Sequence, residues 1–181
     1  MHTETNAHGA SGTSEAAFAH PEITAALRDL EHRISKSKRV ILGVTGPPGV
    51  GKSTFAECLA AHFGPETSVV VPMDGFHLGE AVIAGTELKQ RKGAIDTFDV
   101  GGYLSLLQRL KRRDEDVVYA PLYTRDIEEP IAASIAVPAG IPLVITEGNY
   151  LLSPEPAWRR SADSSTPSGT SSSRRTSGSN A

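Results

Sequence analysis

Apolar residues at helical spacing begin shortly after the polar start of the chain. Behind Pro21, the residues Ile23, Leu27, Leu30 and Ile34 recur every three or four positions. This spacing places them on one face of a helix, and proline is favoured at the first helical position. The pattern therefore predicts an amphipathic helix that covers a sheet.

Three short apolar runs, at residues 39–46, 68–74 and 142–152, have the pattern of buried strands. Such uninterrupted runs are typical of parallel sheets, because helices cover both faces of the sheet. A helical pattern follows the first run at residues 52–63, and another, opened by an aspartate, lies at residues 99–116. Strands that alternate with helices predict an α/β fold with three layers around a mostly parallel sheet.

The two ends of the chain differ in composition from its middle. Residues 1–17 are small and polar, and residues 161–181 are rich in serine with alanine as the one apolar type. Such segments bury too little apolar surface to offset the entropy lost on ordering, so we predict disordered tails around a domain at residues 18–160. Two origins stay open for the serine-rich end, a natural tail or a frameshift product, and the nucleotide sequence distinguishes them.

Composition narrows the class of protein. The net charge of −3 argues against a strongly basic nucleic-acid-binding surface. No run approaches the roughly 18 apolar residues of a membrane span, and the N-terminus lacks the features of a signal peptide. A single cysteine, Cys58, excludes an internal disulfide and a cysteine metal cluster. These features predict a soluble cytoplasmic protein with neither nucleic acid nor membrane as a partner.

A glycine-rich phosphate-binding pattern, G-x-x-x-x-G-K-[ST], joins the first predicted strand to the helix behind it. Glycines let backbone N–H groups surround phosphate oxygens, and the helix N-terminus directs its positive dipole end at the same anion. Lys52 suits the β- and γ-phosphates, and the Ser53 hydroxyl suits Mg²⁺. The strand–loop–helix context favours a nucleoside triphosphate site over a fortuitous glycine loop. The predicted phosphate-binding residues are Gly46, Pro47, Pro48, Gly49, Val50, Gly51, Lys52, Ser53 and Thr54.

Two acidic residues, Asp74 and Glu147, end the second and third apolar runs. Open α/β sheets bind ligands at the carboxyl ends of their strands. There Asp74 could accept a proton from a substrate hydroxyl or help to organise a metal, and Glu147 suits a magnesium-organising position. An aspartate that caps a helix or lies in a turn, and an acid that merely ends a strand, remain the alternative interpretations.

Several polar residues outside these motifs are candidates for a substrate pocket. An aromatic ring beside a guanidinium suits an anionic or planar substrate, but the same residues also suit a solvated loop or a surface turn. These candidates are His77, Arg91, Lys92, Asp96, Tyr123 and Arg125.

The chain resembles the uridine kinase/phosphoribulokinase group in the order of its motifs. These are GPPGVGKST, VPMDGFH, RKGAIDTFDVGGY, APLYTR and ITEGNYLL followed by PAW. Within that group it is most similar to bacterial nucleoside/nucleotide kinase-like proteins, which are relatives of type I pantothenate kinase. The phosphate loop is shared by many families, but the other motifs together are specific, and the resemblance covers about residues 40–160.

The resemblance implies transfer of the γ-phosphoryl group of ATP, with Mg²⁺, to a hydroxyl of a small molecule. By motif, Lys52 and Ser53 would hold the phosphates and Mg²⁺, Asp74 would activate the acceptor hydroxyl, and Glu147 would lie near the metal. The acceptor pocket is implied to contain Arg91, Lys92, Asp96, Tyr123 and Arg125.

Members of the group continue beyond the PAW element with further strands, an arginine-bearing lid and a C-terminal helix, where this sequence becomes rich in serine. We therefore expect an incomplete family fold whose first strand has an unpaired apolar edge. An ATP-binding remnant without transferase activity and a nucleotide-dependent switch remain alternatives to a kinase. The acceptor (nucleoside, pantothenate-like or sugar) and the oligomeric state, which includes a homo-oligomer, also stay open.

Overall fold

The computed structural model of the 181-residue chain describes residues 18, 20–36 and 39–158. The tails predicted at 1–17 and 161–181 lie outside the described residues. Within these ranges, helices have the bounds α1 Pro21–Lys36, α2 Lys52–Phe63, α3 Glu80–Ile83 and α4 Val100–Arg112. The strands of the same ranges have the bounds β1 Val40–Thr45, β2 Ser68–Val70, β3 Val117–Thr124, β4 Glu129–Pro138 and β5 Leu143–Gly148. Short 3-10 helices lie at Met73–Phe76, Glu87–Arg91 and Ile95–Thr97.

A parallel sheet with the strand order β1–β5–β2 forms the centre of the molecule. All six residues of β5 are buried between its two neighbours. Val44 of β1 lies beside Glu147 of β5, and Thr45 lies beside Gly148. The carboxyl ends of both strands therefore meet at one edge of the sheet. Among the described strands, β1 pairs with β5 alone, so its other edge has no partner strand. This agrees with the expectation that the first strand has one unpaired edge.

Helices cover both faces of this sheet. On one face α1 and α2 contribute Leu30, Ala56 and Leu59 to a core that contains Leu143 and Ile145 of β5. On the other face, α4 packs its buried side chains against β1, β5 and the segment after β2. The predicted three-layer α/β architecture is thus confirmed. No helix in the described ranges is both long and apolar enough to cross a membrane.

Helix α4 begins where the sequence predicts. The carboxylate of Asp99 accepts a hydrogen bond from the backbone N–H of Gly102 at 2.8 Å, which satisfies one donor of the first turn. The buried face carries Tyr103, Leu107 and Leu110. Capping and apolar spacing therefore agree on this element.

The antiparallel hairpin of β3 and β4 is absent from the sequence-based prediction. Its register runs from Val117 opposite Pro138 to Thr124 opposite Glu129. The interpretation of the Tyr123 region as a surface turn is wrong, because Tyr123 lies within β3. Arg125 does lie in the hairpin turn.

Two predicted strands are longer than the observed ones. The backbone N–H of Val71 still donates to Ile145 at 2.8 Å, but Pro72 has no N–H with which to continue the ladder. Asp74 therefore lies in the 3-10 turn after β2 and does not end the strand, which corrects the prediction of a strand at 68–74. The last strand ends at Gly148, four residues before the predicted limit.

Candidate active site

The phosphate loop connects the carboxyl end of β1 to the first turn of α2. Gly49 (φ 76°) and Gly51 (φ 88°) adopt left-handed conformations that other residues rarely tolerate. Gly51 precedes the helix without a side-chain cap, and no acidic residue lies in the first turn of α2. The first N–H groups of the helix therefore have no side-chain acceptor and form a positive surface that fits a phosphate.

The ammonium group of Lys52 lies over this loop. Its Nζ donates a hydrogen bond to the carbonyl oxygen of Pro47 at 2.9 Å. The side chain is thus held beside the loop backbone, where a positive charge reinforces that of the helix N-terminus. This arrangement favours an anion of high charge density.

Glu147 is the buried acid of the site, with 5% of its surface exposed. Its Oε1 accepts a hydrogen bond from the Ser53 hydroxyl at 3.2 Å. Burial, and then the nearby negative charge of Asp74, raise the pKa of Glu147, while Ser53 and Lys52 act in the opposite direction. A buried carboxylate in this setting gains stability from a cation placed beside it.

The Ser53 hydroxyl and the Glu147 carboxylate together fit a magnesium position. Mg²⁺ keeps several water ligands and is usually held by one or two protein oxygens plus substrate phosphates. The described part of the chain contains no group of three or more His, Cys, Asp or Glu side chains able to hold a metal alone. The donor set therefore suits Mg²⁺ that arrives with a nucleotide better than a metal bound by the protein only.

Asp74 carries a second, more accessible carboxylate. The turn that contains it has Pro72 at its start and no side-chain cap, so the interpretation of Asp74 as a capping residue finds no support. Its negative charge is close enough to raise the pKa of Glu147. Because its carboxylate accepts no hydrogen bond from any described residue, it remains available as a proton acceptor.

Close contact with the hairpin fixes the turn that carries Asp74. A Cβ atom added to Gly75 would collide with the carbonyl oxygen of Pro121 in β3. Only glycine allows the two backbones to approach this closely. The hairpin therefore determines where the Asp74 turn lies.

Aromatic rings extend the site from Asp74 toward the hairpin. The Nδ1 atom of His77 lies 2.8 Å from the Asp74 carbonyl oxygen. The His77 ring centroid lies 4.0 Å from that of Phe98 and 4.7 Å from that of Tyr123. The Lys92 ammonium lies 5.9 Å from the Tyr123 ring centroid. The structure thus brings Asp74, His77, Lys92 and Tyr123 together.

Three further candidate residues are not joined to this cluster. Arg91 and Asp96 form an exposed ion pair with each other at 2.7 Å. Arg125 is exposed in the hairpin turn, and its side chain makes no hydrogen bond or ion pair with the described residues. Their assignment to an acceptor pocket stays a prediction.

Two tyrosine hydroxyl groups support the site through hydrogen bonds that are not evident from the sequence. The hydroxyl of Tyr103 pairs with the Thr146 hydroxyl at 2.8 Å, directly before Glu147. Burial raises the pKa of Tyr103, so its hydroxyl stays protonated. Tyr150 donates to the Gly93 carbonyl at 2.9 Å and connects the segment just after β5 to the polar segment that contains Lys92. Helical spacing marks Tyr103 as a core residue but gives no sign of its polar partner.

The curated proteins to which the chain is similar include two that are named as kinases. A Schizosaccharomyces pombe protein, named as a candidate uridine kinase, is 37% identical over 133 residues, which are 69% of this chain and 57% of that protein. A pantothenate kinase of Bacillus velezensis is 34% identical over 131 residues, which are 69% of this chain and 40% of the relative. The chain thus spans about half the length of the curated relatives it matches.

A solved structure extends the likeness to three dimensions. A protein from Silicibacter sp. TM1040, described as a candidate kinase of a fructose transport system, is 38% identical with a TM-score of 0.62. The likeness covers 70% of this chain and 61% of that protein. No family model matches the chain. The phosphate loop and the three-layer fold are those of P-loop kinases, and these relatives show that the chain is similar to the uridine kinase/phosphoribulokinase group.

Proposed function

We propose that the protein transfers the γ-phosphoryl group of ATP to a hydroxyl of a small molecule. The observation that carries this proposal is the pair of carboxylates beside the phosphate loop. Glu147 is buried and hydrogen-bonded to Ser53, whereas the carboxylate of Asp74 has no hydrogen-bond partner among the described residues. One acid thus fits the cation of a nucleotide, and the other is available for a substrate proton.

The phosphate side of the site supplies charge and position. Lys52 and the N-terminus of α2 would neutralise phosphate oxygens, while Ser53 and Glu147 would hold Mg²⁺. Bound Mg²⁺ neutralises the charge that develops on the β- and γ-phosphate oxygens. Phosphoryl transfer requires little covalent help from the protein, so fixed charges and orientation account for most of the catalysis.

Asp74 has the role of proton acceptor in this proposal. The acceptor hydroxyl oxygen forms a bond to the γ-phosphorus, and the bond between that phosphorus and the β–γ bridging oxygen breaks. The hydroxyl proton moves to the carboxylate of Asp74, and ADP leaves with the bonding electron pair. The open carboxylate and its position near Glu147 support this assignment.

The cluster of His77, Tyr123 and Lys92 is the proposed acceptor side. Two ring faces and an ammonium group suit a hydroxyl compound with either a planar or an anionic part. The names of the relatives suggest uridine, pantothenate and fructose as first acceptors to test. A protein that uses ATP and has a single cysteine also fits the reducing cytoplasm, which we propose as its compartment.

An acceptor-dependent assay tests this function and the role of Asp74 together. ADP release is measured with Mg²⁺–ATP and each of the three acceptors, for the wild type, Asp74→Asn and the control Asp29→Asn, which changes an exposed carboxylate of α1. We expect Asp74→Asn to lower kcat by about 10²–10⁴-fold, the usual contribution of a general base, with unchanged ATP affinity. The control should retain wild-type turnover.

Two results would contradict the proposal. Equal turnover by Asp74→Asn and the wild type would remove Asp74 from the reaction. ATP binding without ADP release for any acceptor would instead support an ATP-binding protein that lacks transferase activity.

A further inference from the structure

A long segment between β2 and α4, which we call the acceptor loop (residues 79–97), has little regular structure. It contains α3 and two 3-10 helices. Its ends are joined where Leu78 N–H donates to the Thr97 carbonyl at 2.9 Å and His77 pairs with Phe98 in an isolated β-bridge. The loop therefore begins and ends beside the proposed acceptor cluster.

Glu129, the first residue of β4, contacts the start of this loop. Its Oε1 accepts a hydrogen bond from the backbone N–H of Glu80, the first residue of α3, at 2.7 Å. Its second oxygen lies against Gly79, since a Cβ atom there would be 3.1 Å from Oε2. One carboxylate oxygen thus binds the chain at the point where it leaves the acceptor cluster, and the other oxygen lies close beside it.

Lys92 contacts the same hairpin near the far end of the loop. Its Nζ donates to the backbone carbonyl of Glu128 at 2.6 Å and lies over the ring of Tyr123. The hairpin turn therefore holds the loop at two places, one near each end.

The ion pairs within the acceptor loop do not replace this contact. Glu80 pairs with Lys89, and Arg91 pairs with Asp96, so both ion pairs lie within the loop itself. Both pairs are exposed, and exposed pairs contribute little to stability. They shape the loop but do not attach it to the hairpin.

We infer that Glu129 is a positioning residue that holds the acceptor loop against the hairpin and so keeps Lys92 and Tyr123 in the geometry that binds the acceptor. This role rests on the proposed kinase function. Glu129 acts through the Glu80 N–H, and the phosphate loop takes no part in the contact. Loss of the contact should weaken acceptor binding and leave nucleotide binding unchanged.

Three variants isolate the contact. Glu129→Ala removes the hydrogen-bond acceptor, whereas Glu129→Gln keeps a side-chain oxygen that can accept from the Glu80 N–H. Glu128→Ala is the matched control, because it truncates the neighbouring exposed glutamate and keeps the backbone carbonyl that Lys92 uses.

Hydrogen exchange of peptides from residues 79–97 reports on the loop without any need for activity. Glu129→Ala should speed exchange there by about tenfold, the effect of one lost hydrogen bond, while Glu129→Gln and Glu128→Ala stay near the wild type. With the acceptor that the wild type phosphorylates fastest among uridine, pantothenate and fructose, Glu129→Ala should raise the acceptor KM about tenfold. Glu129→Gln should restore it, and the affinity for an ATP analogue should stay within about twofold throughout.

The outcomes separate this inference from the proposed function. Unchanged loop exchange in Glu129→Ala would show that the carboxylate does not hold the loop. Faster exchange with an unchanged acceptor KM would show a structural contact without a positioning role. Absence of acceptor-dependent turnover in the wild type would overturn the proposed function and the positioning role with it.

Discussion

The carboxylate of Glu147 combines burial at the end of β5 with a position beside the phosphate loop. Burial and the charge of Asp74 raise its pKa, and the hydroxyl of Ser53 compensates only in part. An ionised carboxylate is therefore unfavourable there until a cation is bound. In the proposed function this residue would link the stability of the fold to the binding of Mg²⁺ with the nucleotide.

Replacement of Glu147 by Gln should separate the effect of this residue on stability from its effect on Mg²⁺ binding. Without Mg²⁺ or nucleotide, the variant should be at least as stable as the wild type at pH 7, because a neutral amide has no charge to desolvate. Mg²⁺-dependent binding of an ATP analogue should weaken by at least about tenfold. Urea unfolding followed by fluorescence of Trp158, the one tryptophan, and titration calorimetry measure the two quantities.

The stability difference between Glu147→Gln and the wild type depends on pH, and the sign of this dependence is defined. The Glu147 carboxyl has a higher pKa in the folded protein than in the unfolded chain. Its charge therefore lowers the free energy of unfolding at pH values above the folded-state pKa. That contribution is lost as the pH falls through the native pKa toward the ordinary value of 4.5. The stability difference between the variant and the wild type should therefore shrink on acidification. A variant less stable than the wild type at pH 7, with Glu31→Gln as the exposed control, would contradict this account.

The chemical role of a single residue was predictable from the sequence where that residue lies in a local motif. Lys52 and Ser53 follow from the phosphate-loop pattern, and Glu147 follows from its place after an apolar run. The Tyr103–Thr146 and Glu129–Glu80 hydrogen bonds join residues 43 and 49 positions apart, and no local pattern marks such pairs. The acceptor side of the site was consequently less predictable than the phosphate side.

At the scale of elements, the position of Asp74 depends on contact between a turn and a hairpin. The turn Met73–Phe76 packs against β3 so closely that Gly75 has no room for a side chain beside Pro121. An element that is remote in sequence therefore determines where the proposed proton acceptor lies.

A methyl group at Gly75 should disturb this contact. We expect Gly75→Ala to lower the free energy of unfolding by about 1–3 kcal/mol, the usual effect of an added group in a packed site. Gly140→Ala is the matched control, because a Cβ atom at Gly140 has no neighbour within 4 Å. Urea unfolding of both variants measures the difference, and equal stability of the two variants would show that the turn and hairpin do not pack as described.

Elements with a regular apolar period were predictable, whereas the hairpin was not. Prolines at 121, 130 and 138 interrupt its strands, and proline usually argues against a strand. Much of β4 is exposed, so it lacks alternation between apolar and polar residues. Positive φ angles occur at Glu128 and Ala133, where no glycine signals a turn or bulge, and the register shifts between Ala120 and Leu122.

At the scale of the whole molecule, the proposed reaction requires four segments that the sheet brings together. The phosphate loop follows β1, Asp74 lies after β2, Glu147 is the last residue but one of β5, and Tyr123 comes from the hairpin. Folding of the three layers is therefore a condition for the site, because no two of these segments are neighbours in the sequence. The order of strands β1–β5–β2 determines which of them meet.

The free edge of β1 is the main open feature of the described fold. A largely apolar groove of about 610 Å³ lies between α1 and this strand, with Ile23, Leu27, Leu42 and Phe55 among its lining residues. Unpaired backbone groups on an apolar edge can bind another strand. The phosphate loop follows directly from β1, so the proposed nucleotide site lies next to this edge.

Calorimetric titration of the full chain with Mg²⁺ and a non-hydrolysable ATP analogue tests the central claim most directly. We predict micromolar binding that Lys52→Ala weakens by at least about tenfold, because the variant loses a charged donor to phosphate. Lys36→Ala, an exposed lysine at the far end of α1, should bind like the wild type. Absence of binding by the folded wild type, or equal binding by Lys52→Ala, would contradict the assignment of a working nucleotide site.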